Sequence, residues 1–239
     1  MQQADRLPLV PDMAHWLLTE KILPAGRVLD LGSGSGRFSP MLARHAQTLT
    51  LMDISAQMLQ YAQQALQAAG QHAQTVIRAP WTEFARRDQQ YEVIFAHMAP
   101  FLTPADMPRL ARLLAPAGTF VLSRVSGRTD LIFDQFIRAF PELKAHYVSE
   151  TEQPLAQWQQ KSRQAGWAQR QTSFNYQYTE EIDRDYLTEE LPPLLSAAHQ
   201  QAFQALIDRL FGATATQVTQ KTLTVGVTAF TPPATDRRS

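Results

Sequence analysis

The sequence predicts a doubly wound α/β fold built on a parallel sheet, and three observations predict it. Val28-Leu29-Asp30-Leu31 is a short apolar run that ends at three alternating glycines, Gly32, Gly34 and Gly36. Such a run suits a buried parallel strand, and glycine lets the following turn adopt positive φ and admit a ligand close to the backbone. Leu49-Thr50-Leu51-Met52-Asp53-Ile54 then offers a second strand with an acid near its end, 17 residues after Gly36. Beyond it, apolar strands and helix-periodic stretches alternate until five β/α repeats have passed by residue 124, the pattern of a doubly wound sheet.

Composition narrows the classes. At 239 residues, 44% hydrophobic and 18% charged, the chain can bury one substantial core. We therefore expect a single domain over 1–231, with an insertion at 125–190 and a disordered tail at 232–239. Lys plus Arg equals Asp plus Glu at 22 each, so no overall field draws the protein to nucleic acid or to an anionic membrane. Arg86-Arg87 and Arg237-Arg238 are isolated basic pairs, so no nucleic-acid partner is expected. The absence of cysteine excludes disulfides and thiolate metal sites, and the six histidines lack ligand spacing, so no metal is expected. No stretch approaches the roughly 20 apolar residues of a membrane span, and residues 1–8 lack a signal-peptide run. A cytoplasmic location, with no membrane partner, is the expectation.

In chain order, Met13, Trp16, Leu17, Leu18, Ile22 and Leu23 predict a helix over 10–23, ended by Pro24. Ser39-Pro40 reads as an N-cap with proline in the first turn of a helix that leads to a strand at 48–53. Ser55 caps a helix over 56–69, closed by Gly70 and followed by a strand near 73–78. Tyr91 to Ala96 is the fourth strand, 106–114 a helix and Gly118 to Ser123 the fifth strand. Further on the pattern loosens: a helix over 154–164, a strand over 167–178, a helix over 192–211 opened by Pro192-Pro193, and a Thr/Val-alternating strand over 222–230.

Two ligand classes use a strand, glycine turn and helix with an acid ending the next strand. Dinucleotide sites favour G-x-G-x-x-G, whereas here the glycines fall as G-x-G-x-G. The segment VLDLGSGSG resembles the first motif of class I S-adenosylmethionine-dependent methyltransferases, usually V-L-D-L-G-C-G-x-G. Leu113-Leu114-Ala115-Pro116-Ala117-Gly118 is similar to that family's L-L-x-P-G-G segment. The resemblance covers about 10–124, and 167–230 more weakly. It implies a three-layer α/β/α fold, a mostly parallel seven-stranded sheet with an antiparallel last strand, and S-adenosylmethionine as cofactor.

The same resemblance assigns roles. Asp30, with Gly32, Ser33, Gly34 and Gly36, would serve the methionine end of the cofactor, Asp30 through the ammonium group. Asp53 would bind both ribose hydroxyls, a task that suits the two acceptor oxygens of a carboxylate. Pro80 stands where many members carry an acid for the adenine amino group, which leaves Trp81, Ile54 and Met58 as apolar neighbours of adenine. His97 and Met98 follow the fourth strand, outside the carboxyl ends of the strands where ligands bind in open α/β sheets. They would meet cofactor and acceptor, with Trp16, Phe101 and Phe133 further candidates for the acceptor pocket, which caps of this kind usually shape. At a reference pKa of about 6.5, His97 is the candidate base for a hydroxyl or ammonium acceptor.

The acceptor read here is a small molecule, since Ala96-His97-Met98-Ala99-Pro100-Phe101 replaces the Asn/Asp-Pro-Pro-Tyr/Phe motif of amino-methylating nucleic-acid enzymes. Two other readings remain: an NAD(P)-dependent oxidoreductase, against which the glycine spacing and the missing Tyr-x-x-x-Lys pair argue, and a cofactor-binding module without catalysis. Monomer and homodimer are both compatible with the sequence.

Overall fold

A computed structural model describes residues 7–144 and 154–234, so most of the expected 232–239 tail lies outside the described residues. Helix α1 (Leu9–Thr19) buries Leu9, Met13 and Leu17 along one face, four residues apart, and leads into β1 (Ala25–Leu31). Then follow α2 (Ser39–His45), β2 (Ala46–Asp53), α3 (Ala56–Ala68) and β3 (Thr75–Arg78). The short α4 (Trp81–Phe84) precedes β4 (Tyr91–His97), α5 (Met107–Leu113) and β5 (Leu114–Asp130). The remainder is α6 (Phe133–Ala139), α7 (Leu155–Gln164), β6 (Ala168–Asp183), α8 (Arg184–Glu190), α9 (Ala197–Phe211) and β7 (Thr216–Thr231).

The seven strands form one sheet in the order β3-β2-β1-β4-β5-β7-β6. Strands β1 to β5 pair in parallel, with Asp30 opposite Leu51 on one side and Phe95 on the other. The last strand runs antiparallel: Thr129 meets Thr222, and the Leu131 amide donates to Gln220, so numbering rises along β5 as it falls along β7. The fold is the one expected, the seven-stranded class I arrangement with an antiparallel last strand.

The chain divides into two compact units. Of the described residues, the larger comprises 8–124, 154–174 and 225–234, and its core joins Leu29, Leu31, Tyr91, Ile94, Phe120, Trp158 and Phe230. The smaller comprises Leu7, 125–144 and 175–224, with its own core of Phe136, Phe140, Leu143, Leu187, Phe203, Ile207 and Phe211. Strands β5, β6 and β7 continue from one unit into the other.

Several local expectations need correction. Ser39 is the first residue of α2, not its cap; its hydroxyl is turned back to Asp30 instead. The stretch 192–211 is a 3-10 turn over Pro192–Leu194 followed by a separate helix from Ala197. Strands β5 and β6 run seven and five residues past their expected C-terminal ends, and β7 begins six residues before its expected start, because most of the extra residues are polar and period-two hydrophobicity fades there. By contrast, Ser55 does cap α3, accepting from the Met58 amide at 3.3 Å.

Candidate functional site

Strand order reverses between β1 and β4, and at that switch the carboxyl ends of neighbouring strands leave a crevice. A cavity of about 630 Å3 lies there, lined by the turn after β1, the ends of β2 and β3, and the segment after β4. All of its lining belongs to the larger unit.

The glycine turn forms its floor. Gly32, Gly34 and Gly36 have φ of +73°, +52° and +87°. Gly32 and Ser33 donate their amides to the Met52 carbonyl at 2.8 and 3.0 Å, and Gly36 donates to the Ser33 carbonyl. Gly34 donates to Asp53 Oδ2 at 3.0 Å, while Ser55 donates its amide to Asp53 Oδ1 at 2.8 Å. The Asp53 carboxylate is thus oriented by two backbone groups, and each oxygen retains acceptor capacity.

Asp30 ends β1 at 3% exposure, accepting from the Ser39 hydroxyl at 2.6 Å. Burial pushes its pKa up to about 7; the Ser39 bond opposes that rise and the nearby Asp53 charge adds to it.

His97, at the end of β4, turns Nδ1 towards the Ser123 hydroxyl at 3.0 Å and rests its ring 4.7 Å from that of Phe38. Burial, helped by the Arg37 charge, lowers its pKa to about 4, so the ring is neutral across the physiological range. That weakens it as a base relative to a histidine near its ordinary value. The next residue, Met98, holds φ of +49°, an uncommon conformation for a side-chain-bearing residue. The Phe101 ring covers Gly32: a Cβ there would stand 3.0 Å from its Cε1. Arg124, buried on β5, donates to the carbonyls of Ala99 and Leu102 at 3.0 and 3.1 Å and so fixes this segment.

On the β3 side, Pro80, Trp81 and Ile54 line the cavity. Trp81 donates its indole N–H to Asp106 Oδ1 at 2.9 Å. Asp106 also accepts from Thr103 and Arg109, and these bonds hold its carboxyl below the usual range although burial opposes them.

Of the residues expected at the site, Asp30, Gly32, Ser33, Gly34, Asp53, Ile54, Pro80, Trp81, His97, Met98 and Phe101 line this one cavity. Four do not. Gly36 is buried against α3, where a Cβ would come within 2.6 Å of the Ala62 Cα, so it serves helix packing. Met58 lies on α3 outside the lining, and its backbone is tied to the Ser55 cap. Trp16 is a half-buried residue of α1, outside the lining. Phe133 packs against the core of the smaller unit. Arg37, Phe38, Met52 and Thr82 line the cavity without having been singled out. Adjacency to Gly36, Asp53 and Trp81 was the available signal. Among the described residues no cluster of histidine and carboxylate side chains suits a metal ion, and no helix is long and apolar enough to cross a membrane.

Residues 28–118 match the family described as methyltransferase domain. No curated protein matches the chain. Among solved structures, a methyltransferase of Thiobacillus denitrificans in complex with S-adenosyl-L-homocysteine is 20% identical, with 93% of this chain and 91% of that one covered and a TM-score of 0.53. One of Geobacter sulfurreducens, in complex with the same compound, is 19% identical with the same coverage and TM-score. The precorrin-8w decarboxylase of Methanobacterium thermoautotrophicum is 12% identical over 88% of this chain and 86% of its own, with a TM-score of 0.50.

Proposed function

We infer the acceptor side of the reaction from a chain that carries a class I S-adenosylmethionine-dependent methyltransferase domain, with S-adenosylmethionine as its methyl donor. The acceptor in this reading is a small molecule, methylated at the mouth of the cavity between Phe101 and His97.

One observation carries the assignment of the donor to this cavity. The amides of Gly32, Ser33, Gly34 and Gly36 already donate to protein acceptors, and two carboxyl groups, Asp30 and Asp53, border the turn. A diphosphate would find few free amide donors and two acids. A ligand with an ammonium group, a sulfonium and vicinal hydroxyls finds matching acceptors. This is also the argument against the oxidoreductase reading.

The residue roles follow. Asp30 receives the ammonium group, and Asp53 accepts from the ribose hydroxyls with its remaining lone pairs. Pro80, Trp81 and Ile54 flank the adenine, which rests on apolar contact in place of an acid. The bound donor supplies a methyl group on positive sulfur, displaced in line as the nucleophile's electron pair forms the new bond and the C–S pair returns to sulfur. The protein's share is to hold the nucleophile about 3 Å from the methyl carbon and to exclude water. Phe101 and Met98 do the second, while the neutral His97 contacts the acceptor.

Calorimetric titration with S-adenosylmethionine, S-adenosylhomocysteine and NAD tests the reading. Both adenosyl ligands should bind, and binding of NAD alone would overturn it. Asp53→Ala should weaken the adenosyl ligands at least tenfold, for two lost bonds to hydroxyls. Unchanged affinity would remove Asp53 from ribose recognition. Turnover on a panel of small acceptors then distinguishes an enzyme from a binding module.

A further inference from the structure

Ser123 is fully buried on β5, and its hydroxyl meets one partner among the described residues, Nδ1 of His97 at 3.0 Å. A hydroxyl has one proton to place. Were Nδ1–H the donor, the Ser123 proton would be sealed inside the protein with nothing to bond. With the hydroxyl as donor, one bond satisfies both its proton and the Nδ1 lone pair. The second arrangement requires the neutral ring to carry its proton on Nε2, at the far edge of the imidazole from Ser123. The ring lines the cavity, and among the described residues no protein acceptor takes that proton.

Arg37 lines the same cavity, and its charge is felt at the imidazole. Around them the wall is apolar, with Phe38, Met98, Pro100 and Phe101. A neutral N–H donor and a guanidinium on an apolar wall suit an anion with two oxygens and a small apolar body.

We propose that His97 and Arg37 form a carboxylate subsite, in which Nε2–H donates to the bound carboxylate and Ser123 is the positioning residue that fixes the tautomer. The bearer of the carboxylate rests on the methyltransferase reading: it is a small organic acid serving as acceptor, towards which His97 acts as a hydrogen-bond donor. An acceptor carboxylate, ionised at neutral pH, needs no base.

The test begins with proton–nitrogen correlation spectra of the imidazoles in the ligand-free protein, the His97 signals being assigned by their loss in His97→Gln. Nε2 should carry the proton, and Ser123→Ala should populate both tautomers; a proton on Nδ1 in the wild type overturns the proposal. The His97 Nε2–H resonance is then followed through titrations with S-adenosylhomocysteine, with 5′-methylthioadenosine, which lacks the carboxylate, and with benzoate and benzamide. A shift by S-adenosylhomocysteine but not by methylthioadenosine shows that the methyl donor's own carboxylate fills the site and overturns the proposal. A shift by benzoate, but not benzamide, in the S-adenosylhomocysteine-saturated protein assigns it to the acceptor. If no carboxylate moves the resonance, the subsite is refuted. His97→Leu and Arg37→Met should each weaken the responding ligand roughly tenfold or more, while His97→Gln, whose amide restores a donor, should recover much of the loss. Should the wild type bind no adenosyl ligand, the methyltransferase reading fails, and the tautomer and benzoate measurements still decide the subsite.

Discussion

Asp30 is a carboxyl group kept from water at the end of a central strand, and its raised pKa has a definite sign in stability. Between the ordinary value of 3.8 and about 7 the folded protein holds a proton that the unfolded chain has released. Its contribution is therefore complete below pH 3.8 and is lost as pH rises towards 7. Asp30→Asn, which keeps an acceptor for Ser39, should flatten the fall in stability between pH 4 and 7. Urea midpoints across that range check it, and an unchanged slope would show that another group titrates. The glycines make a second contrast at this scale. Gly36→Ala places a Cβ against backbone at +87° φ and should cost on the order of 3 kcal/mol, while Gly34→Ala, with open space around it, should cost only about 1 kcal/mol. Thermal melts of the two variants decide whether packing or torsion dominates in this turn. Sequence pattern locates these glycines but does not separate their tasks, because a motif records spacing and not the neighbour across the gap, here Ala62. For the same reason Ser39 reads as a cap: its actual partner, Asp30, lies nine residues back and meets it only once the turn has closed.

At the scale of elements, the start of β5 carries local strain. Ala117 holds φ of +59° at the position where the resembled L-L-x-P-G-G segment has glycine. Next to it, Gly118 approaches the carbonyls of Ala115 and Tyr91, where a Cβ would stand 2.9 Å from each oxygen. Both residues sit where the β4–β5 pairing shifts register, between Tyr91 and Val93. Ala117→Gly should therefore stabilise the protein, by up to about 1 kcal/mol once the greater freedom of glycine in the unfolded chain is offset. Chemical denaturation reads the difference, and a loss of stability would mean that the methyl packs usefully. The parallel strands β1, β2 and β4 were legible because they are buried on both faces, which makes their apolar runs continuous. The outer ends of β5, β6 and β7 were not, since Asp130, Glu180 and Lys221 hold them by ion pairs that period-two hydrophobicity cannot register. The short helices α6 and α8 were likewise hidden. Each begins beside an aspartate, Asp130 or Asp183, that receives amides of the chain that follows, a signal too local to stand out among 22 acids.

The cavity and the second core belong to different units. Every residue lining the cavity lies in the larger unit, whereas Phe203 is buried in the smaller one with its ring 5.4 Å from Phe136 and 5.9 Å from Phe140. Phe203→Ala should cost about 3–5 kcal/mol and leave the affinity for S-adenosylhomocysteine unchanged. Denaturation and calorimetry on the same variant check both halves; weakened binding would show that the units are energetically coupled. The division into units was not legible from composition, because the same three strands serve both and no linker of distinctive residues marks the passage.

The order in which the chain is synthesised meets the order in which the sheet is assembled at β7. This strand emerges last, yet it takes the place between β5 and β6, with Val225, Val227, Ala229 and Phe230 buried. Until it arrives, β5 offers a long hydrogen-bonding edge and β6 has no neighbour, although both left the ribosome well before it. Completion of the sheet is thus deferred until β7 has been made, and in that interval an exposed edge is most open to wrong pairings and to chaperones that cover it.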